Sequence, residues 1–93
     1  MDDLNELIDV FTRTTTHEEM GKLFDEMFTQ REKYDLALRW RLLKELHNGI
    51  PQREIATKLG ISLCKITRGS KILKNPTSQV RKILDEHAYQ NIG

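Results

Sequence analysis

Apolar residues recur at helical spacing along nearly the whole chain, and strand-like alternation is rare. Leu4, Leu7, Ile8 and Phe11 form one stripe over residues 2–12, with acids in the first turn where the helix dipole favours them. After a polar break at 13–16, Thr16-x-x-Glu19 is a capping box opening a second helix to about Phe28, with Met20, Leu23, Phe24, Met27 and Phe28 apolar. Met20 and Met27 are expected in its packed interior. Thr29-x-x-Glu32 opens a third, longer helix through Tyr34, Leu38, Leu42, Leu43 and Leu46, which His47-Asn48-Gly49 stops. Pro51 is expected in the first turn of a fourth helix, where its missing N–H is harmless. Ile55, Ala56 and Leu59 give that helix its apolar face, and Gly60 breaks it. Ser62 caps a fifth helix carrying Ile66 and Leu73 on one stripe, and Asn75-Pro76 ends it. Thr77 or Ser78 caps a sixth with Val80, Ile83 and Leu84 apolar, and the tail from about Ala88 is expected to fray. The prediction is all-α: six helices, no strands, short connections.

The fourth and fifth helices, joined by a tight turn, fit the helix-turn-helix pattern at nearly every position it constrains. Ala56 and Gly60 stand where crossing helices need a small side chain and a sharp turn. One position departs. Past Ile66 the next core position normally holds a large aliphatic, and here it is Gly69. A glycine inside a helix costs about 1 kcal/mol relative to alanine. Two explanations stand open: an unfilled space beside Arg68 for a small, flat, negatively charged ligand, or a helix kink or close helix contact.

Charge follows the same division. Residues 52–74 carry Arg53, Lys58, Lys65, Arg68, Lys71 and Lys74 against the single acid Glu54, a local net of +5 in a chain of net charge +1. The first 35 residues carry ten acids against Arg13, Lys22, Arg31 and Lys33, a local net of −6. Phosphate binding depends on such local density. Lys65, near the start of the fifth helix, stands where the dipole disfavours a cation, which points to an external anion. The competing reading is a solvated basic helix in an ordinary bundle.

At 93 residues the chain is expected to be one small domain: 1–47 mainly dimerisation helices, 50–75 the helix-turn-helix unit, 77–90 a C-terminal helix. The first two helices carry more apolar surface than one small core can cover, so the acidic N-terminal half is a candidate homodimer interface; the alternative is that they fold back on their own domain. The single Cys64 excludes an intramolecular disulfide, fits a reducing compartment, and reads as a neutral contact residue rather than a nucleophile. Trp40 stands between Arg39 and Arg41 as a core or partner contact. His17, His47 and His87 fall on separate segments without metal-ligand spacing, and no nucleophile elbow, P-loop or dinucleotide turn is present. No catalytic residue, metal site or enzyme activity is expected. No apolar run is long enough to span a bilayer and no signal sequence opens the chain, so a cytoplasmic protein is expected.

Ile66-Thr67-Arg68-Gly69-Ser70, followed by Leu73-Lys74 and preceded by Gln52-Arg53-Glu54 and Leu59-Gly60, is a narrow signature. On it, residues 24–84 resemble the trp repressor family. The resemblance implies an intertwined all-helical homodimer that binds double-stranded operator DNA when L-tryptophan is bound as corepressor. Arg39 matches an arginine that stacks on the indole, Arg68 one that engages the ligand carboxylate, Gly69 a residue that leaves room for the ligand, and Thr29 a pocket threonine from the other subunit. Ile72 stands where the family carries a serine that helps hold the ligand amino group. Gln52, Arg53 and Ala56 match DNA contacts of the first motif helix. Leu63, Cys64 and Thr67 match positions facing base edges, and Lys71 and Lys74 match phosphate-side positions; Lys65 joins them on the dipole argument. Pro51 replaces a capping serine, and Cys64-Lys65 replace smaller residues. Two other readings compete: a helix-turn-helix protein that binds DNA without a small ligand, and a helical module whose basic face binds an acidic protein.

Overall fold

The computed structural model describes residues 2–87. These form six helices, α1 (Asp2–Arg13), α2 (His17–Met27), α3 (Gln30–His47), α4 (Gln52–Leu59), α5 (Leu63–Lys74) and α6 (Gln79–Glu86), and among the described residues no strand. The fold is all-α, and the helix ends follow the capping chemistry. Thr16 Oγ1 accepts the Glu19 N–H at 3.1 Å. Thr29 and Glu32 close both halves of their box, Glu32 N donating to Thr29 Oγ1 at 3.1 Å and Thr29 N to Glu32 Oε1 at 2.9 Å. At the end of α3, Gly49 takes φ +81°, while Ile50 N donates to Glu45 O and Gly49 N to Leu46 O, both at 3.1 Å. That pair of bonds is a Schellman closure, and it satisfies carbonyls the helix end would leave open. Pro51 stands one position earlier than expected, at the N-cap of α4, with no side-chain cap. Ser78, not Thr77, caps α6 by accepting the Arg81 N–H at 3.1 Å. Thr77 instead donates its N–H and hydroxyl to Asn75 Oδ1, closing the turn after α5. The fraying expected from Ala88 lies outside the described residues.

The chain divides into two compact units, Met1–Asp35 and Leu36–Gly93, the division falling inside α3. In the first, the Phe11 and Phe24 rings stack with centroids 5.6 Å apart, and Phe24 meets Phe28 at 5.1 Å. No residue of α1 or α2 is buried, and Leu4, Ile8, Val10 and Met27 are exposed. The expected interior place of the two methionines is therefore corrected: Met27 is 48% exposed and Met20 half-buried. Two short helices have too little surface between them to enclose both flanks of an amphipathic stripe.

The second unit has a core. Ile55 of α4 and Ile66 of α5 are wholly buried against Leu42, with Leu46, Ile50, Ala56, Leu59 and Ile61 packed around them. Burying each isoleucine contributes about 1.5–3 kcal/mol. His47 Nε2 meets Asp85 Oδ1 at 2.7 Å, joining the end of α3 to α6, whose Leu84 is buried. Among the described residues no helix is long and apolar enough to cross a membrane.

Candidate nucleic-acid interface and ligand site

The turn between α4 and α5 is set by Gly60, in the left-handed region at φ +64°, whose N–H donates to Ala56 O at 2.9 Å. Ser62 restarts the chain as a helix, its Oγ accepting from Lys65 N at 3.4 Å. With Ile66 and Gly69 facing inward, helical periodicity turns Leu63, Cys64, Thr67, Arg68 and Lys71 outward, and Lys65 and Lys74 are exposed on the flanks. Gln52 and Arg53 are exposed in the first turn of α4. Ala56 is half-buried and packed on the core, so only its edge reaches the surface. The outward face of α5 is slightly hollowed, a surface concavity of about 390 Å³ lined by Leu63, Cys64, Thr67, Arg68 and Lys71.

The ion pairs refine the charge count. Lys58 Nζ lies 2.7 Å from Glu45 Oε1, and Glu45 is fully buried, with Arg41 Nε 3.9 Å away. Lys58 is thus held by the protein itself. Among the described residues Arg53, Lys65, Arg68, Lys71 and Lys74 pair with no acid, and α5 contains none. Sequence reasoning missed Glu45. The signal was present: an acid three residues after Leu42 on an otherwise apolar stripe.

Gly69 resolves differently from the unfilled space first considered. It is buried, and a Cβ there would lie 3.0 Å from Leu46 Cδ1 and 3.6 Å from Leu42 and Leu43 Cδ2. The space is filled by α3, so the close helix contact explains the glycine. Arg39 stands one turn before Leu42 and Leu43 on α3, and Arg68 adjoins Gly69 on α5. Each arginine thus lies within a turn, in sequence, of residues that make the α3–α5 contact, and both are exposed and without an acid partner among the described residues. Ile72, one turn beyond Arg68, is 36% exposed. Thr29 belongs to the first unit, where its hydroxyl caps α3.

The family model described as Trp repressor protein matches residues 2–88. The chain belongs to the Trp repressor family. It is 39% identical over 70 residues to a Trp operon repressor homolog of Xylella fastidiosa strain M23, covering 74% of this chain and 76% of that protein. A Trp operon repressor homolog of Chlamydia trachomatis serovar L2 is 38% identical over 65 residues, 69% of each chain, and one of Vibrio campbellii is 30% identical over 74 residues, 78% of this chain and 74% of that protein. No solved structure matches the chain. The Trp repressor family is one of transcriptional repressors, not of enzymes. Among the described residues no cluster of His, Cys, Asp and Glu would hold a metal ion.

Proposed function

We propose that this chain is an L-tryptophan-dependent transcriptional repressor that binds palindromic operator DNA as a homodimer and controls genes of tryptophan biosynthesis or uptake. One observation carries the DNA half: besides Arg68, four cations on α4 and α5, Arg53, Lys65, Lys71 and Lys74, lack acid partners among the described residues, on a helix-turn-helix whose Ile55 and Ile66 are wholly buried. Unpaired cations on a rigid head neutralise phosphates without first breaking internal bonds. Gln52 and Arg53 contact the backbone beside α4, Lys65, Lys71 and Lys74 contact it along α5, and Leu63, Cys64 and Thr67 meet base edges, with the Ala56 edge beside them.

The ligand half rests on Arg39 and Arg68. A free guanidinium on each side of a helix–helix contact fits an amino acid that offers one carboxylate and one flat ring. Arginine grips the former bidentately and stacks on the latter. Because Leu46 already fills the space above Gly69, the ligand adds a bridge between the arginines of α3 and α5 rather than filling a hole. Arg68 takes the carboxylate, Arg39 covers the ring, and Gly69 lets α5 approach closely enough for both. Thr29 enters only through the family resemblance, from the other copy. Such a bridge favours the arrangement in which α5 is held for DNA, and it shifts the population by its differential affinity, typically about 1–3 kcal/mol. The exposed apolar face of α1 and α2 supports the dimer. A two-fold dimer presents its recognition helices to half-sites one DNA turn apart, a spacing general to helix-turn-helix dimers, the Trp repressor being a standard example.

Titration of L-tryptophan into the purified protein by calorimetry tests the ligand half. Saturable binding of one ligand per chain, lost in Arg39→Ala and in Arg68→Ala, is expected; an Arg68→Ala chain that binds normally would refute the pocket. Ile72 favours a second reading, DNA binding independent of ligand, because an apolar side chain beside Arg68 offers nothing to an ammonium group. Equal operator affinity with and without tryptophan would select it.

A further inference from the structure

Glu45 is the only buried charged residue among the described residues, and it stands between Leu42 and Leu46 on the stripe of α3 that packs against the helix-turn-helix. Its Oε1 lies 2.7 Å from Lys58 Nζ on α4, and its Oε2 is buried with no hydrogen bond among the described residues. Stability does not explain the pair. A well-packed hydrophobic side chain in place of a buried ion pair is often neutral or stabilising, and a leucine at this position would continue the stripe. What the pair adds is direction, because apolar packing is non-directional and a hydrogen bond is not.

The short helix α4 has need of a directional restraint. It is eight residues long with one wholly buried side chain, Ile55, and Pro51 gives its N-terminus no side-chain cap. Apolar packing of that kind fixes where the helix lies better than its roll about its own axis. On a helix about 10–12 Å across, a roll of about 20° moves surface groups by about 2 Å, enough to break a hydrogen bond. At 3.6 residues per turn, Lys58 stands about 140° round α4 from Arg53 and about 120° from Gln52. Its bond to Glu45 therefore acts on the flank away from those two side chains. We propose that Glu45 and Lys58 are positioning residues for DNA binding: the pair sets the roll of α4 on α3, and through it the reach of Gln52 and Arg53 to the phosphates. Neither member of the pair touches DNA.

The inference rests on the DNA-binding function proposed above, and its test separates the two. The full-length protein, with L-tryptophan present and absent, selects duplexes from a randomised pool, and affinity for the best binder is measured over a range of salt. Glu45→Leu removes an acid and releases Lys58, so charge alone predicts tighter binding. The expected result is the opposite: a loss of about five-fold, the scale of one hydrogen bond, in a chain at least as stable to urea as its parent. Glu45→Leu/Lys58→Met, which leaves neither charge, shows the same loss. Arg53→Ala completes a double-mutant cycle. In the parent it weakens binding and lowers the salt slope by about one; in Glu45→Leu it has no further effect, because its contact is already lost. If Glu45→Leu binds as tightly as the parent or tighter, or if Arg53→Ala costs the same in both backgrounds, the inference is wrong and DNA binding stands. If the parent enriches no duplex in either condition, both fall, and the pair serves the fold alone.

Discussion

At the residue scale, Gly69 and Glu45 show how a side chain's meaning depends on what faces it. Helix-turn-helix units ordinarily place a large aliphatic at the position of Gly69, and here α3 takes that volume from the other side through Leu46, Leu42 and Leu43. Gly69→Leu should overpack the contact and lower stability by about 1–3 kcal/mol, read from urea unfolding. Gly69→Ala should stay within about 1 kcal/mol, since the gain in helix propensity offsets the crowding of a flexible Leu46 methyl. A Gly69→Leu chain as stable as its parent would mean that α3 does not press on α5. Glu45 is the opposite case, a charged residue at 0% exposure, one oxygen on Lys58 and Oε2 buried without a hydrogen bond among the described residues. Removing its partner in Lys58→Met should cost about 1–3 kcal/mol, less than a fully buried pair because the Lys58 side chain is 41% exposed. The double variant Glu45→Leu/Lys58→Met should recover most of the loss, because the buried charge leaves with its partner. A single variant that unfolds at the parent's urea midpoint would show that the pair contributes nothing.

At the scale of elements, the proposed DNA-binding unit depends on two short helices packed on each other. Ile55 and Ile66 supply the packing, Gly60 the turn, and Ser62 the restart. Gly60→Ala forces an L-residue into the left-handed region and should cost about 1–2 kcal/mol. The loss should appear in DNA affinity as well as in thermal stability, because the turn sets how α5 is presented. Retention of full affinity in a destabilised Gly60→Ala chain would separate the turn from the interface. Most of these elements could be read from spacing alone: the two Thr-x-x-Glu boxes, the glycines at 49 and 60, and the stripe through Ile55 and Ile66. Choosing Ser78 over Thr77 could not, because both are good caps and only the Asn75 turn decides which hydroxyl is free.

At the scale of the whole molecule, charge and apolar surface lie in different parts of the chain. Ten of the fourteen acids and the uncovered stripes of α1 and α2 belong to the first unit, and the five unpaired cations of α4 and α5 to the second. The proposed dimer predicts a melting temperature that rises with protein concentration and an Ile8→Asp variant that sediments as a monomer, Ile8 being 52% exposed on that face. An Ile8→Asp dimer as tight as the parent would move the interface elsewhere. Lys74→Ala should weaken binding to all duplexes alike and reduce the salt slope by about one, whereas Arg68→Ala should remove the response to tryptophan.

The sequence by itself determined the helices, the caps at Thr16, Thr29 and Ser62, the helix-turn-helix and its basic character, because these follow from spacings of a few residues and from local hydrogen-bond chemistry. It also carried the family signature around Arg68 and Gly69. Only the tertiary structure decided what stands opposite each side chain. It showed that Gly69 is covered by Leu46, that Lys58 is taken out of the basic surface by Glu45, and that Met27 has no interior to enter. Each of those outcomes depends on residues distant in sequence meeting across a helix contact, or failing to meet, and no local spacing encodes such a meeting.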